Sequence, residues 1–279
     1  MIKILVALDC RVINMKTVDF ACYMARVAHS KLTGIFLEER EFEKTPTRKI
    51  VLGQPYVETI VASDIPGNEA RQKTKLENIQ TFKDACENRG IPATVRVDDG
   101  IPATEIVRET RFADILIVDA TTSFSNKPEA SPTDFVKEIL TRSECPVIIA
   151  PESDGIIEEI IFPCDNSRSA ATAIKHFSYL FPEFRNKKLT VLEVKKEETK
   201  PDADEGRLNE WLTVHYPKAA YIAIKGDPSD EIFTYLLKRD NIMAVMGSYG
   251  RSSLSRLFRP SHAELVTKTM TRPLFISHD

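Results

Sequence analysis

An apolar run late in the chain closes on Met246-Gly247-Ser248-Tyr249-Gly250, and nine residues further on Pro260-Ser261 opens a helical segment. Residues of these types can hold a phosphate. Glycines let the backbone take positive φ and approach an anion closely, and the N–H groups at a helix start point toward it. The Ser261 hydroxyl would add one donor. His262 beside it either reaches a phosphate or is an exposed first-turn histidine, and Arg251, Arg256 and Arg259 add positive charge to the intervening loop. Pro260 acts in the opposite sense, because it has no N–H and more bulk, and so deletes one phosphate contact. A charge-assisted hydrogen bond contributes about 1.5–3 kcal/mol, so the loss weakens binding roughly ten- to a hundred-fold or more. Plainer roles compete. Gly247 and Gly250 can make a tight turn after a strand, and Ser261-His262-Ala263-Glu264 is an S-x-x-E capping box.

The chain contains its own comparison, because it says nearly the same thing twice. Gly100-Ile101-Pro102-Ala103-Thr104-Glu105-Ile106 recurs as Gly226-Asp227-Pro228-Ser229-Asp230-Glu231-Ile232. Ile4-Leu5-Val6-Ala7-Leu8-Asp9 echoes Ile160-Ile161-Phe162-Pro163-Cys164-Asp165, and Cys145-Pro146-Val147-Ile148-Ile149 echoes Arg272-Pro273-Leu274-Phe275-Ile276. In the first copy Asp119 stands where Gly247 stands in the second, Thr122 replaces Gly250, and the spacer ends in Pro132-Thr133. The glycines are gone and a negative charge sits where a phosphate would, so the first half is expected not to bind a triphosphate. The shared G-x-P-x-x-E-I segments read as architecture.

The elements that must position these residues alternate between strand and helix. The first half reads as strands over 2–8, 32–37, 93–97, 113–118 and 146–150, with helices carrying Val18 to Ala28, Leu76 to Cys86, Pro102 onward and 134–142. Residues 40–68 are polar, contain Pro46, Pro55 and Pro66, and form a long excursion read as an arm or lid. The second half repeats the order with strands 156–163, 188–194, 219–224, 242–246 and 273–277 and helices 168–180, 204–214, 228–239 and 262–270. Such alternation implies parallel sheets with right-handed crossovers, doubly wound in the flavodoxin or Rossmann manner. Ligands then bind at the carboxyl ends of the strands, where the strand order reverses.

Composition narrows the classes. A chain of 279 residues suits about two domains, set here at 1–152 and 153–279. A formal net charge of −3 argues against a general nucleic-acid or membrane-surface binder. No run approaches the length of a membrane span and the N-terminus lacks a leader pattern, so a cytoplasmic location is expected. The five cysteines include no C-x-x-C pair, and neither they nor the five dispersed histidines make a zinc pattern. No Ser-His-Asp set and no paired carboxylates stand out.

The loop with Gly247, Gly250 and Ser261, the strand ending in Asp165 and the G-x-P-x-x-E-I segments together resemble the universal stress protein family over nearly the whole chain. Its nucleotide-binding members carry G-x2-G-x9-G-[S/T], and Pro260 stands here in place of the third glycine. The resemblance implies two adenine nucleotide alpha hydrolase-like domains, each a five-stranded parallel sheet with helices on both faces. They would form an internal pseudo-dimer through the fifth strands of the two halves. It also implies a stress-response protein that holds ATP or AMP as an effector in the second half. Pro163 and Asp165 would border the adenosine, the Val194 backbone would meet the adenine edge, and Met246 and Gly247 would line the sugar and phosphate side. No metal is expected beyond nucleotide-bound magnesium. A homodimer, a protein partner and a slow ATPase or autophosphorylating activity stay open. So does a degenerate scaffold that recognises a partner or an apolar ligand through residues 40–68.

Overall fold

The computed structural model describes residues 1–39, 47–51, 54–58, 68–125, 127–152, 156–195, 203–247 and 271–277. Its first half runs β1 (Ile4–Asp9), α1 (Met15–Val27), β2 (Leu32–Glu39), β3 (Thr47–Val51), β4 (Gln54–Glu58), α2 (Asn68–Asn88), β5 (Ala93–Gly100), α3 (Pro102–Thr110), β6 (Ile115–Asp119), α4 (Asp134–Arg142) and β7 (Val147–Ala150). The second half follows with β8 (Glu159–Cys164), α5 (Arg168–Leu180), a 3₁₀ turn at Pro182–Asn186, β9 (Lys188–Lys195), α6 (Ala203–His215), β10 (Ala220–Lys225), α7 (Pro228–Leu237), β11 (Ile242–Gly247) and β12 (Leu274–Ser277).

Ten of these strands form one sheet in the order β10-β9-β8-β11-β12-β7-β6-β1-β2-β5. Within each half of this sheet every pairing is parallel and the strands run third-second-first-fourth-fifth, which is the Rossmann order and not the flavodoxin one. The halves join where β12 meets β7 antiparallel, with Leu274 opposite Ile149, Phe275 opposite Ile148 and Ile276 opposite Val147. Each fifth strand thereby covers an edge the other would leave open. Residues 40–68, expected as an arm or lid, contain a separate antiparallel hairpin of β3 and β4.

The central strands are buried on both faces, and successive side chains alternate between them. Ile4, Val6 and Leu8 enter an apolar cluster with α1, α2 and α5, while Leu5 and Ala7 enter another with α3, α4 and α7. Both clusters continue through the junction, since Ile148 and Phe275 lie in the first and Ile149 and Ile276 in the second. Helix starts are set by local chemistry. Asn14, Thr133 and Ser167 accept from Lys16 N, Val136 N and Ala170 N at the heads of α1, α4 and α5. The G-x-P-x-x-E repeat has an evident cause. A Cβ on Gly226 would lie 2.5 Å from Cγ of Glu231, and one on Gly100 would lie 3.0 Å from Oε1 of Glu105. The glycine leaves room for the helix glutamate to fold back over the strand end.

Candidate functional site

In each half the strand order reverses between the first and fourth strands, and there the ladder parts early. The β8·β11 register stops at Ile161 opposite Ala244, whereas β8·β9 continues to Cys164 opposite Glu193. The β1·β6 register likewise stops at Val6 opposite Ile117, while β1 stays paired with β2 to Asp9. The first and fourth strands therefore part toward their carboxyl ends in both halves, and the residues gathered there differ between the two.

In the second half, Pro163 is buried beyond the last β11 pair and stays in register with Leu192 of β9. Asp165 follows β8, is exposed, and accepts from the Ser167 amide at 3.1 Å, so it orders the turn into α5. Asn166, at φ 59°, donates from Nδ2 to Glu193 at 3.1 Å, and Lys195 pairs with the same Glu193 oxygen at 2.9 Å. These three polar side chains tie together the ends of β8 and β9. The sequence reading missed them, although each lies within one or two residues of a strand end. Val194 is 7% exposed with its side chain in the apolar cluster, so only its main chain is left to meet a ligand.

Met246 is half-buried and Gly247 buried at the end of β11. A Cβ on Gly247 would come within 2.4 Å of the carbonyl carbon and oxygen of Ser169 and 2.8 Å of the Ala170 amide nitrogen. The glycine thus brings β11 against the first turn of α5, backbone to backbone. On its other side Gly247 pairs with Ser277, whose Oγ lies 2.7 Å from Nδ1 of His176 in α5. Pro163, Asp165, Val194, Met246 and Gly247 all gather at the carboxyl end of the second-half sheet. Gly250, Ser261 and His262, with the loop arginines and the helix expected at 262–270, lie outside the described residues.

In the first half the corresponding place is filled. Asp119 is 8% exposed, and its Oδ2 accepts from the Asn14 side-chain amide and, at 3.3 Å, from the Thr17 hydroxyl. Its Oδ1 accepts from the Thr121 amide at 2.7 Å and the Thr121 hydroxyl at 2.8 Å. The head of α1, which favours an anion, has one from its own chain. Thr133, the hydroxyl position, caps α4 and donates to the Thr122 carbonyl. Asp9, the counterpart of Asp165, is clasped by Arg11 at 2.8 Å, and that guanidinium also donates to the Ser123 carbonyl at 2.8 Å and lies 5.5 Å from the Phe124 ring centre. Further along the same edge Lys75 of α2 pairs with Glu38 at 2.6 Å, and Asn78 donates to the Cys10 carbonyl at 2.9 Å.

Among the described residues no group of three or more His, Cys, Asp or Glu side chains could hold a metal ion. No helix among them is long and apolar enough to cross a membrane.

No protein-family model matches the sequence, and no curated protein matches it. Solved structures do. A universal stress protein from Archaeoglobus fulgidus DSM 4304 is similar with a TM-score of 0.69 at 15% identity, over 98% of this chain and 98% of that one. A structure described as a universal stress protein from Pseudomonas aeruginosa UCBPP-PA14 reaches 0.60 at 14% identity, over 99% of this chain and 93% of its own. A functionally unknown protein from Pseudomonas aeruginosa PAO1 reaches 0.59 at 14% identity, over 99% and 92%. Across essentially its whole length the chain has the tandem α/β fold of the universal stress protein structures.

Proposed function

We propose that the protein is a cytoplasmic stress-response protein of the universal stress type that holds an adenine nucleotide, ATP or AMP, as an effector in its second half only. The two units divide near residues 152 and 153. The observation that carries this reading is the asymmetry at the two strand-order reversals. In the first half the chain's own Asp119 carboxylate occupies the head of α1. In the second half Gly247 stands at that position with its backbone against Ser169 and Ala170 of α5, so β11 supplies no carboxylate to the head of that helix. Asp165, exposed after β8, would accept a polar hydrogen from the adenosine, and the Val194 main chain would meet the adenine edge. Gly250, Ser261 and His262 would complete the phosphate side by their position in the sequence.

Calorimetric titration with ATP and AMP tests the reading, beside Pro260→Gly and Asp165→Asn variants. Pro260→Gly restores a backbone N–H and should tighten binding, whereas Asp165→Asn should weaken it. Gly247→Asp is a poor probe of phosphate contact, since any side chain there meets the α5 backbone first. Absence of heat from the wild type, with binding regained in Pro260→Gly, would mean a vestigial pocket. The protein would then be a scaffold that acts through a partner.

A further inference from the structure

We propose that Cys22 and Cys86 form a peroxide-oxidisable dithiol whose disulfide staples α2 to α1 in the first half. The two sulfurs lie 3.7 Å apart and share a hydrogen bond. Disulfide sulfurs are bonded at about 2.05 Å, so closure needs roughly 1.7 Å of sulfur movement. They come from different helices and are separated by 64 positions in the chain. No counterpart exists in the second half, where the position matching Cys22 along α5 is the exposed Lys175.

Both thiols are buried, at 0% and 1% exposure, so peroxide reaches them only when the end of α2 opens. The hydrogen bond from the Cys22 thiol lowers the Cys86 pKa, burial opposes it, and the charge of Arg89 lowers it further. Cys22 is raised by the same bond and by burial, and Cys86, at the end of α2, is assigned the attacking role. Cys86 sits in the last turn of α2, two residues before the helix end, where a helix opens most readily. In the first step the Cys86 thiolate attacks one peroxide oxygen, the O–O bond breaks, and hydroxide leaves, giving a sulfenic acid. Cys22 then attacks that sulfur, its proton passes to the departing hydroxide, and water leaves. Two thiols and one hydrogen peroxide become one disulfide and two waters.

The consequence falls on the carboxyl edge of the first-half sheet. Helix α2 carries Lys75 and Asn78, which reach across to Glu38 and to the carbonyl of Cys10. A covalent link from α2 to α1 fixes that cover in place. This inference is independent of nucleotide binding in the second half.

The test treats the folded wild-type protein with hydrogen peroxide, maps thiols and disulfides by mass spectrometry, and follows thermal unfolding before and after. The expected result is a Cys22–Cys86 disulfide with the loss of two hydrogens, reversed by dithiothreitol, and a rise in the thermal midpoint of roughly 5–10 °C. Cys22→Ala should lose both the disulfide and the rise, and Cys86 should then over-oxidise to sulfinic acid. Consumption of Cys10, Cys145 or Cys164 while Cys22 and Cys86 stay reduced would overturn the proposal. So would a disulfide that leaves the thermal midpoint unchanged.

Discussion

Replacing Asp119 tests the claim that the first half supplies its own anion. In Asp119→Ala four donor contacts are lost, two to Thr121 and one each to Asn14 and Thr17. Thr121 is exposed, so water replaces its bonds at little cost. Thr17 is 1% exposed and its hydroxyl would be stranded, and the Asn14 amide would lose its carboxylate. At about 1.5–3 kcal/mol for each charge-assisted bond left unmade, with partial repair by water, the variant should lose about 2–4 kcal/mol. For a chain of this size that corresponds to roughly 5–10 °C in thermal midpoint. Asp119→Gly should lose a similar amount and regain part of it in sulfate, because the head of α1 would then accept an external anion. Urea unfolding with and without sulfate, matched for ionic strength with chloride, measures both effects. A loss below about 0.5 kcal/mol with no sulfate dependence would refute the reasoning.

Three further outcomes follow from the packing and the buried thiols. Gly247→Ala drives a methyl into the Ser169–Ala170 backbone and should cost about 1–3 kcal/mol in urea unfolding even without nucleotide, since α5 must move away. Phe275, fully buried at the junction and 5.4 Å from the Phe177 ring centre, should cost about 3–5 kcal/mol on change to Ala, in the same assay. Cys10 and Cys145 are pushed up to about 12, chiefly by burial, from an ordinary value of 9.0. The unfolded thiols ionise first on the alkaline side, so their contribution to stability is complete below about pH 8.5 and is lost as pH rises toward 12. The urea midpoint should fall between pH 8 and 10.5, less steeply in Cys145→Ala; an equal slope in that variant would contradict the assignment.

Strands and helices were legible where local chemistry fixes them. Helices α4 and α5 occupy the residues expected, 134–142 and 168–180, because Thr133 and Ser167 cap them and apolar spacing marks their buried faces. Helix α2 starts at Asn68, eight residues before Leu76, because its opening turns carry no apolar stripe. The hairpin Thr47–Val51 and Gln54–Glu58 was hidden by Pro55 within a strand and by a polar composition that reads as loop. At the site, the sign of Asp119 could be read from the repeat, but two of its four donor contacts come from the head of α1, about a hundred residues away in sequence. Gly247 looked like a ligand-facing glycine. Its tightest constraint is a backbone contact with α5, which spacing alone does not disclose. The G-x-P-x-x-E-I repeat was legible as architecture, and the folded-back glutamates supply its reason.

The central claim is one nucleotide site per chain, in the second half. Calorimetry with ATP and AMP on the wild type, Asp165→Asn and Pro260→Gly measures it directly. The account predicts one equivalent bound, weakened in Asp165→Asn and tightened roughly ten- to a hundred-fold in Pro260→Gly. Two equivalents per chain, or no binding by any of the three proteins, would contradict it.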